Sequence, residues 1–171
     1  MFERFAQSTK AALEGARNEA ERRGDRRIGS DHLLIALLQD DATAQFVGVS
    51  ADAARAAADE LDRSALSAIG LTVGDGTYTP ATYTPATYTP AAYTPAGRGA
   101  SRKSVTSITR GAKGVIEQSM AHAASVKARV VSSEHMLLAL LDKKQPDPAA
   151  ALLAALPVDH AALRARLTGT A

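Results

Sequence analysis

The 171-residue chain has no cysteine and no tryptophan. Disulfide staples, thiolate-ligated zinc and haem or iron–sulfur sites are therefore excluded. Aromatics are scarce: three Phe and four Tyr, with the Tyr (78, 83, 88 and 93) confined to one short stretch. No apolar run approaches the roughly 20 residues a membrane span needs. The N-terminus, Met1-Phe-Glu-Arg-Phe5, mixes both charges and has no apolar h-region; a secretory signal is not expected. A cytoplasmic location follows as an expectation, consistent with the lack of cysteine.

Charge of one sign is also lacking. The net formal charge is +2, and no segment carries the concentrated basic stripe of a nucleic-acid binder. GxxxxGK[ST], HExxH and GxSxG are all absent, so no phosphate loop, zincin helix or nucleophile elbow is in view. The four His (32, 122, 135 and 160) come with no carboxylate cluster. No catalytic residue, metal site or cofactor is expected, and the chain reads as a non-enzyme.

What is abundant is alanine, 37 residues, and repetition. Residues 77–96 are four copies of a five-residue unit, three TYTPA and one AYTPA. Proline at every fifth position stops helices and disfavours a central strand. A loose polyproline-like linker over 72–104 is expected. It is either a plain tether or a stacking strip for a partner.

The flanks, 1–71 and 105–171, are copies of each other. Shifting by 103 lays Phe5–Leu38 on Ile108–Leu141 without a gap, with ten of 34 positions identical, among them Lys10/Lys113, Glu14/Glu117, Ser30/Ser133, His32/His135 and Leu34/Leu137. Past a six-residue insertion, Arg55 meets Arg164. Such self-similarity marks an internal duplication. In the first copy, apolar residues from Phe2 to Ala20 recur at helical spacing and Gly24 is the expected stop. Ser30 is expected to cap an apolar helix beginning Asp-His-Leu-Leu. A short helix over 42–47 and a Ser50-capped helix over 51–68 complete the copy. The second copy repeats this at about 106–126, 134–143, 148–155 and 159–167. A 60- to 70-residue half is marginal alone. The expected fold is therefore all-α: two four-helix repeats packed as one pseudo-two-fold, eight-helix unit. His32 and His135 are expected to hydrogen-bond across the repeat interface.

Phe2-Glu-Arg-Phe5, followed by Ile28-Gly-Ser-Asp-His-Leu-Leu-Ile-Ala-Leu-Leu38 and its echo Val131-Ser-Ser-Glu-His-Met-Leu-Leu-Ala-Leu-Leu141, resembles the N-terminal domain of Clp-type AAA+ unfoldases of the ClpC/ClpA group. The resemblance covers about 2–70 and 105–168, and no ATPase module follows, as in a stand-alone N-domain. It implies a docking module for adaptors and substrates of a Clp unfoldase–protease, or one that touches the unfoldase itself. Such a module could compete for or sequester ligands; the alternative is an adaptor that delivers clients. It also implies phosphoarginine sites at Ser30/Asp31 and Ser133/Glu134, where a helix N-terminus meets the phosphate and a carboxylate the guanidinium. Plain helix capping accounts for the same residues equally simply. A second surface implied by the resemblance is a groove for cyclic-peptide antibiotics. It takes in Phe2, Phe5, Lys10, Glu14, Ile108, Lys113 and Glu117, with Ile108 where the family has a second Phe.

Overall fold

The computed structural model describes residues 5–73, 78–80 and 107–169. The first repeat holds α1 (Gln7–Arg23), the two-residue strand β1 (Arg27–Ile28), α2 (Ser30–Leu37), α3 (Asp41–Val47) and α4 (Ala51–Ala68). The second holds β4 (Ser107–Ile108), α5 (Arg110–Ser125), α6 (Ser133–Leu141), α7 (Pro148–Ala155) and α8 (His160–Gly169). Between them, β2 (Leu71–Val73) pairs antiparallel with β3 (Tyr78–Pro80). Three residues of the linker's first unit, Tyr78–Pro80, thus form a strand, where no strand was expected. Pro80 lies at the end of a two-stranded ribbon, a position that tolerates its missing N–H. Tyr83, Tyr88 and Tyr93 lie outside the described residues.

Helix ends follow local chemistry. Ser50 accepts from Ala53 N–H at 3.2 Å to open α4, and Asp40 accepts from Thr43 N–H at 2.9 Å to open α3. Gly24 ends α1 in the left-handed region (φ 79°), letting Asp25 N–H reach back to Ala20 at 2.8 Å. Lys127 takes the equivalent place after α5 with φ 55°, and Ala128 N–H reaches Ala123 at the same distance. The turn is preserved although its glycine is not.

The abundant alanine is a packing device. α1 turns Ala12, Gly15, Ala16 and Ala20 inward, and a Cβ on Gly15 would lie 3.2 Å from that of Ala36. The bulk comes from α2 and α6: Leu33, Leu34, Ile35, Leu37, Met136 and Leu140 are fully buried. One continuous core runs through both repeats.

The repeats are tied by an exchange of backbone. Ala6 N–H donates to Val131 O at 2.9 Å, and Thr109 N–H donates to Ile28 O at 2.9 Å. These two bonds interconvert under the 103-residue shift. β1 pairs parallel with β4, and Phe5 bridges Val131. Each repeat's entry segment is thus held by the other repeat.

Each repeat also carries a carboxylate–guanidinium anchor built on its equivalent arginine, Arg55 or Arg164. In the first, buried Glu19 of α1 accepts from Arg55 Nε at 3.1 Å, Arg22 Nε at 3.0 Å and Gln39 Nε2 at 2.8 Å. In the second, Asp142 after α6 accepts from Gln118 Nε2 at 2.8 Å, contacts His122 Nε2 at 2.9 Å and pairs with Arg164 at 2.6 Å. The arginine keeps its place, while the acid moves from the first helix to the end of the second. Burial raises both carboxyls, but Arg55 and Arg22 outweigh it at Glu19, and Arg164 and His122 at Asp142, so both titrate below the usual range. Among the described residues, no helix is long and apolar enough to cross a membrane.

Candidate functional site

The starts of α2 and α6 are built alike. Gly29 and Ser132 are the capping residues, with extended backbones. Ser30 and Ser133, expected as caps, are instead the first helical residues. The free backbone amide of each cap is taken by a histidine three residues on: Gly29 N–H donates to His32 Nδ1 at 2.9 Å, and Ser132 N–H to His135 Nδ1 at 3.1 Å. The histidines therefore cap their own helices and do not reach across the repeat interface as expected. The reason is reach: a side chain three residues into the first turn falls back on the cap, the logic of a capping box. Accepting at Nδ1 requires that nitrogen to be unprotonated. Burial pushes His135 below its ordinary value, against the pull of Glu134 and with the push of His122.

Side chains that could meet a ligand differ between the copies. Ser30 is buried, and its hydroxyl donates to the Asp147 carboxylate at the start of α7. Asp31 Oδ2 accepts from Arg23 Nη1 at 3.0 Å, and Arg23 also pairs with Asp62 of α4. Those three charged groups share a cleft of about 290 Å³ with Ala58, Leu61 and Leu152. Both polar residues of the first site are thus already engaged within the chain.

The second site is open. Among the described residues the Ser133 hydroxyl reaches Ser8, Oγ to Oγ at 3.2 Å, and no other side chain. Glu134 is exposed and makes no hydrogen bond or ion pair among the described residues. It stands between two clefts. One, of about 400 Å³, is lined by Ser8, Asp40, Thr43, Phe46, Ser132 and Ser133; on its Phe46 wall the Arg166 guanidinium stacks at 4.2 Å. The other, of about 330 Å³, brings His122, Val126, Leu138 and Leu167 beside Glu134. The amides of a helix's first turn have no acceptor in a preceding turn. A free carboxylate beside a wall of apolar side chains is complementary to a guanidinium on an aliphatic stem. Among the described residues, no group of three or more His, Asp or Glu could hold a metal.

The sequence profile of the Clp repeat (R) N-terminal domain family matches residues 4–87 and again 86–156. The chain belongs to this family. Two solved structures share the Clp repeat fold. The N-terminal domain of the caseinolytic protease associated chaperone ClpD from Arabidopsis thaliana superposes with a TM-score of 0.64 at 18% identity, over 99% of each chain. A structure from preliminary investigations of a malarial protein secretion system superposes with a TM-score of 0.62 at 19% identity, over 98% of this chain and 94% of that one. No curated protein matches the chain. Clp N-domains are in general binding modules for adaptors and substrates of Clp unfoldases, not catalysts.

On this Clp N-domain the groove residues differ in exposure. Phe5 is buried in the core against Val131. Ile108, its equivalent, is exposed in β4. Lys113 and Glu117 approach at 3.8 Å on the solvent side of α5. Lys10 and Glu14 make no ion pair among the described residues, and Phe2 lies outside them. Sequence reasoning missed Arg23, Asp40 and Phe46. Arg23 and Phe46 fall where the copies differ, and Asp40 at the cap before α3; a comparison that looks for agreement passes over such positions.

Proposed function

We propose that the protein is a non-enzymatic Clp N-domain that binds arginine-bearing ligands at the N-terminus of α6. Phosphoarginine-tagged or arginine-rich segments of unfoldase substrates and adaptors are the ligand class. The observation that carries this reading is Glu134: a solvent-exposed carboxylate that makes no hydrogen bond or ion pair among the described residues, beside two clefts. Its guanidinium partner would come from the ligand, and the first-turn amides of α6 would meet a phosphate. By holding such segments in the cytoplasm, the chain would compete with an unfoldase for them.

Calorimetric titration with phosphoarginine tests the reading. Glu134→Ala should weaken binding by about 10- to 100-fold, the worth of one charge-assisted hydrogen bond, with the melting temperature unchanged. Ser133→Ala should change affinity less. A wild-type protein that gives no heat at millimolar phosphoarginine overturns the proposal. In a reconstituted unfoldase–protease reaction, added protein should slow degradation of a phosphoarginine-tagged client; acceleration would favour the adaptor role instead.

A further inference from the structure

The two copies of the acid site differ at one decisive position. The 103-residue shift that carries Asp31 onto Glu134 carries Arg23 onto Val126. Arg23 sits in the last turn of α1, with only 12% of its side chain exposed, and Asp31 with 14%. Its guanidinium is clamped between Asp31 and Asp62, in a cleft walled by Ala58 and Leu61. Val126 is 50% exposed and shares the corresponding cleft with Glu134, Leu138 and Leu167. The clefts share three matched lining positions: Arg23/Val126, Asp31/Glu134 and, at the offset that maps Arg55 on Arg164, Ala58/Leu167.

We infer that Arg23 is a built-in occupant of the first repeat's acid site, and that the residue at position 23 or 126 decides whether a repeat accepts a guanidinium from outside. This rests on the reading of Glu134 as a guanidinium acceptor. The first repeat displays the bound arrangement, with the chain's own arginine as the guest. An outside guanidinium would have to displace a tethered one, whose effective concentration is millimolar or higher, and would gain no new charge pairing. Desolvation lowers the Arg23 pKa, but Asp62, Asp31 and Asp25 outweigh it and hold the side chain firmly cationic. The second repeat keeps the acid and the apolar wall but has a short aliphatic where the internal guest would be. The duplicated domain therefore carries one open site and one filled site.

The selector is tested by exchanging the two residues. Phosphoarginine is titrated into wild type, R23V, V126R and R23V/D31N, each checked by circular dichroism and thermal melting. Wild type should bind one equivalent. V126R should bind at least about tenfold more weakly, as a tethered guanidinium takes the charge-assisted bond. R23V should gain a second equivalent that R23V/D31N loses. Wild-type stoichiometry in R23V together with wild-type affinity in V126R would overturn the inference while leaving the Glu134 reading intact. If wild type itself binds nothing, that reading fails, and a ligand-free measurement decides the selector. A double-mutant cycle of V126R with E134Q should show favourable coupling in melting temperature, mirroring Arg23 with Asp31. Zero coupling in that cycle would show that a guanidinium at position 126 does not reach Glu134, and the inference falls.

Discussion

Arg55→Met and Arg164→Met change equivalent residues and should have unequal costs. In the first repeat the Glu19 side chain is only 4% exposed and Arg55 26%. Removing one partner of a buried pair costs about 3–5 kcal/mol, because the other charge is left in a poor solvent. Arg22 and Gln39 still hold Glu19, which should reduce the loss to about 2–3 kcal/mol. In the second repeat Asp142 is 21% exposed and Arg164 44%. Water solvates what the arginine leaves, and His122 and Gln118 remain as partners. The expected loss there is about 0–1 kcal/mol. Urea unfolding at pH 7, with unchanged m-values, measures both. The gap should close in acid. Glu19 titrates lower in the folded chain than unfolded, so the folded state binds fewer protons and its stability rises with pH. That contribution is complete above the unfolded carboxyl value of about 4.3 and is lost as the pH falls through the folded value. Near pH 3 Arg55→Met should therefore differ less from wild type. Equal costs for the two substitutions at pH 7 would refute the argument that burial, and not the pairing itself, sets the energy.

Three further outcomes are expected. Leu34→Ala and Leu137→Ala, buried at matched positions of α2 and α6, should each cost about 2–5 kcal/mol in denaturant unfolding. Lys127→Gly should raise stability by up to about 1 kcal/mol in thermal melts, because glycine bears no penalty at φ 55°. His135 is held below its unfolded value of about 6.5; its contribution is whole above that pH and lost as the pH falls toward the folded value. His135→Gln, which keeps an acceptor for Ser132 N–H, should flatten the stability change between pH 7 and 5 in pH-dependent melts.

The duplication made much of the fold legible. α4 runs Ala51–Ala68 behind Ser50, and α7 runs 148–155 behind an aspartate, as spacing and caps imply. One register, 103 residues, identifies both buried helices. Less legible was who caps them: Ser30 and Ser133 match the cap preference, but the backbone places Gly29 and Ser132 there, and a histidine is not an expected third capping residue. The β1–β4 pairing was invisible because two-residue strands have no periodicity to read. The state of Asp31 was also hidden. Its pairing with Arg23 joins residues eight apart across a turn, and the Asp62 partner lies 39 residues from Arg23. The Asp31 side chain is also one methylene shorter than that of Glu134, which favours the same ordering as the arginine clamp.

The reciprocal tie between the repeats has a consequence for how the chain is made. Thr9 bonds Val131 across 122 residues, Arg27 bonds Ile108 across 81, and Ser30 bonds Asp147 across 117. These are non-local contacts, and they join a wider packing between the repeats, in which α2 meets α5, α6 and α7 and α4 meets α7. Such contacts raise the contact order of the chain, and higher contact order slows folding. During synthesis, which proceeds from the N-terminus, α1 and α2 emerge long before Val131 exists to receive Ala6. The nascent first repeat therefore presents an unpaired entry segment and an uncovered face of α2. Either is complementary to the second repeat of any neighbouring copy, so exchange between chains competes with closure within one chain.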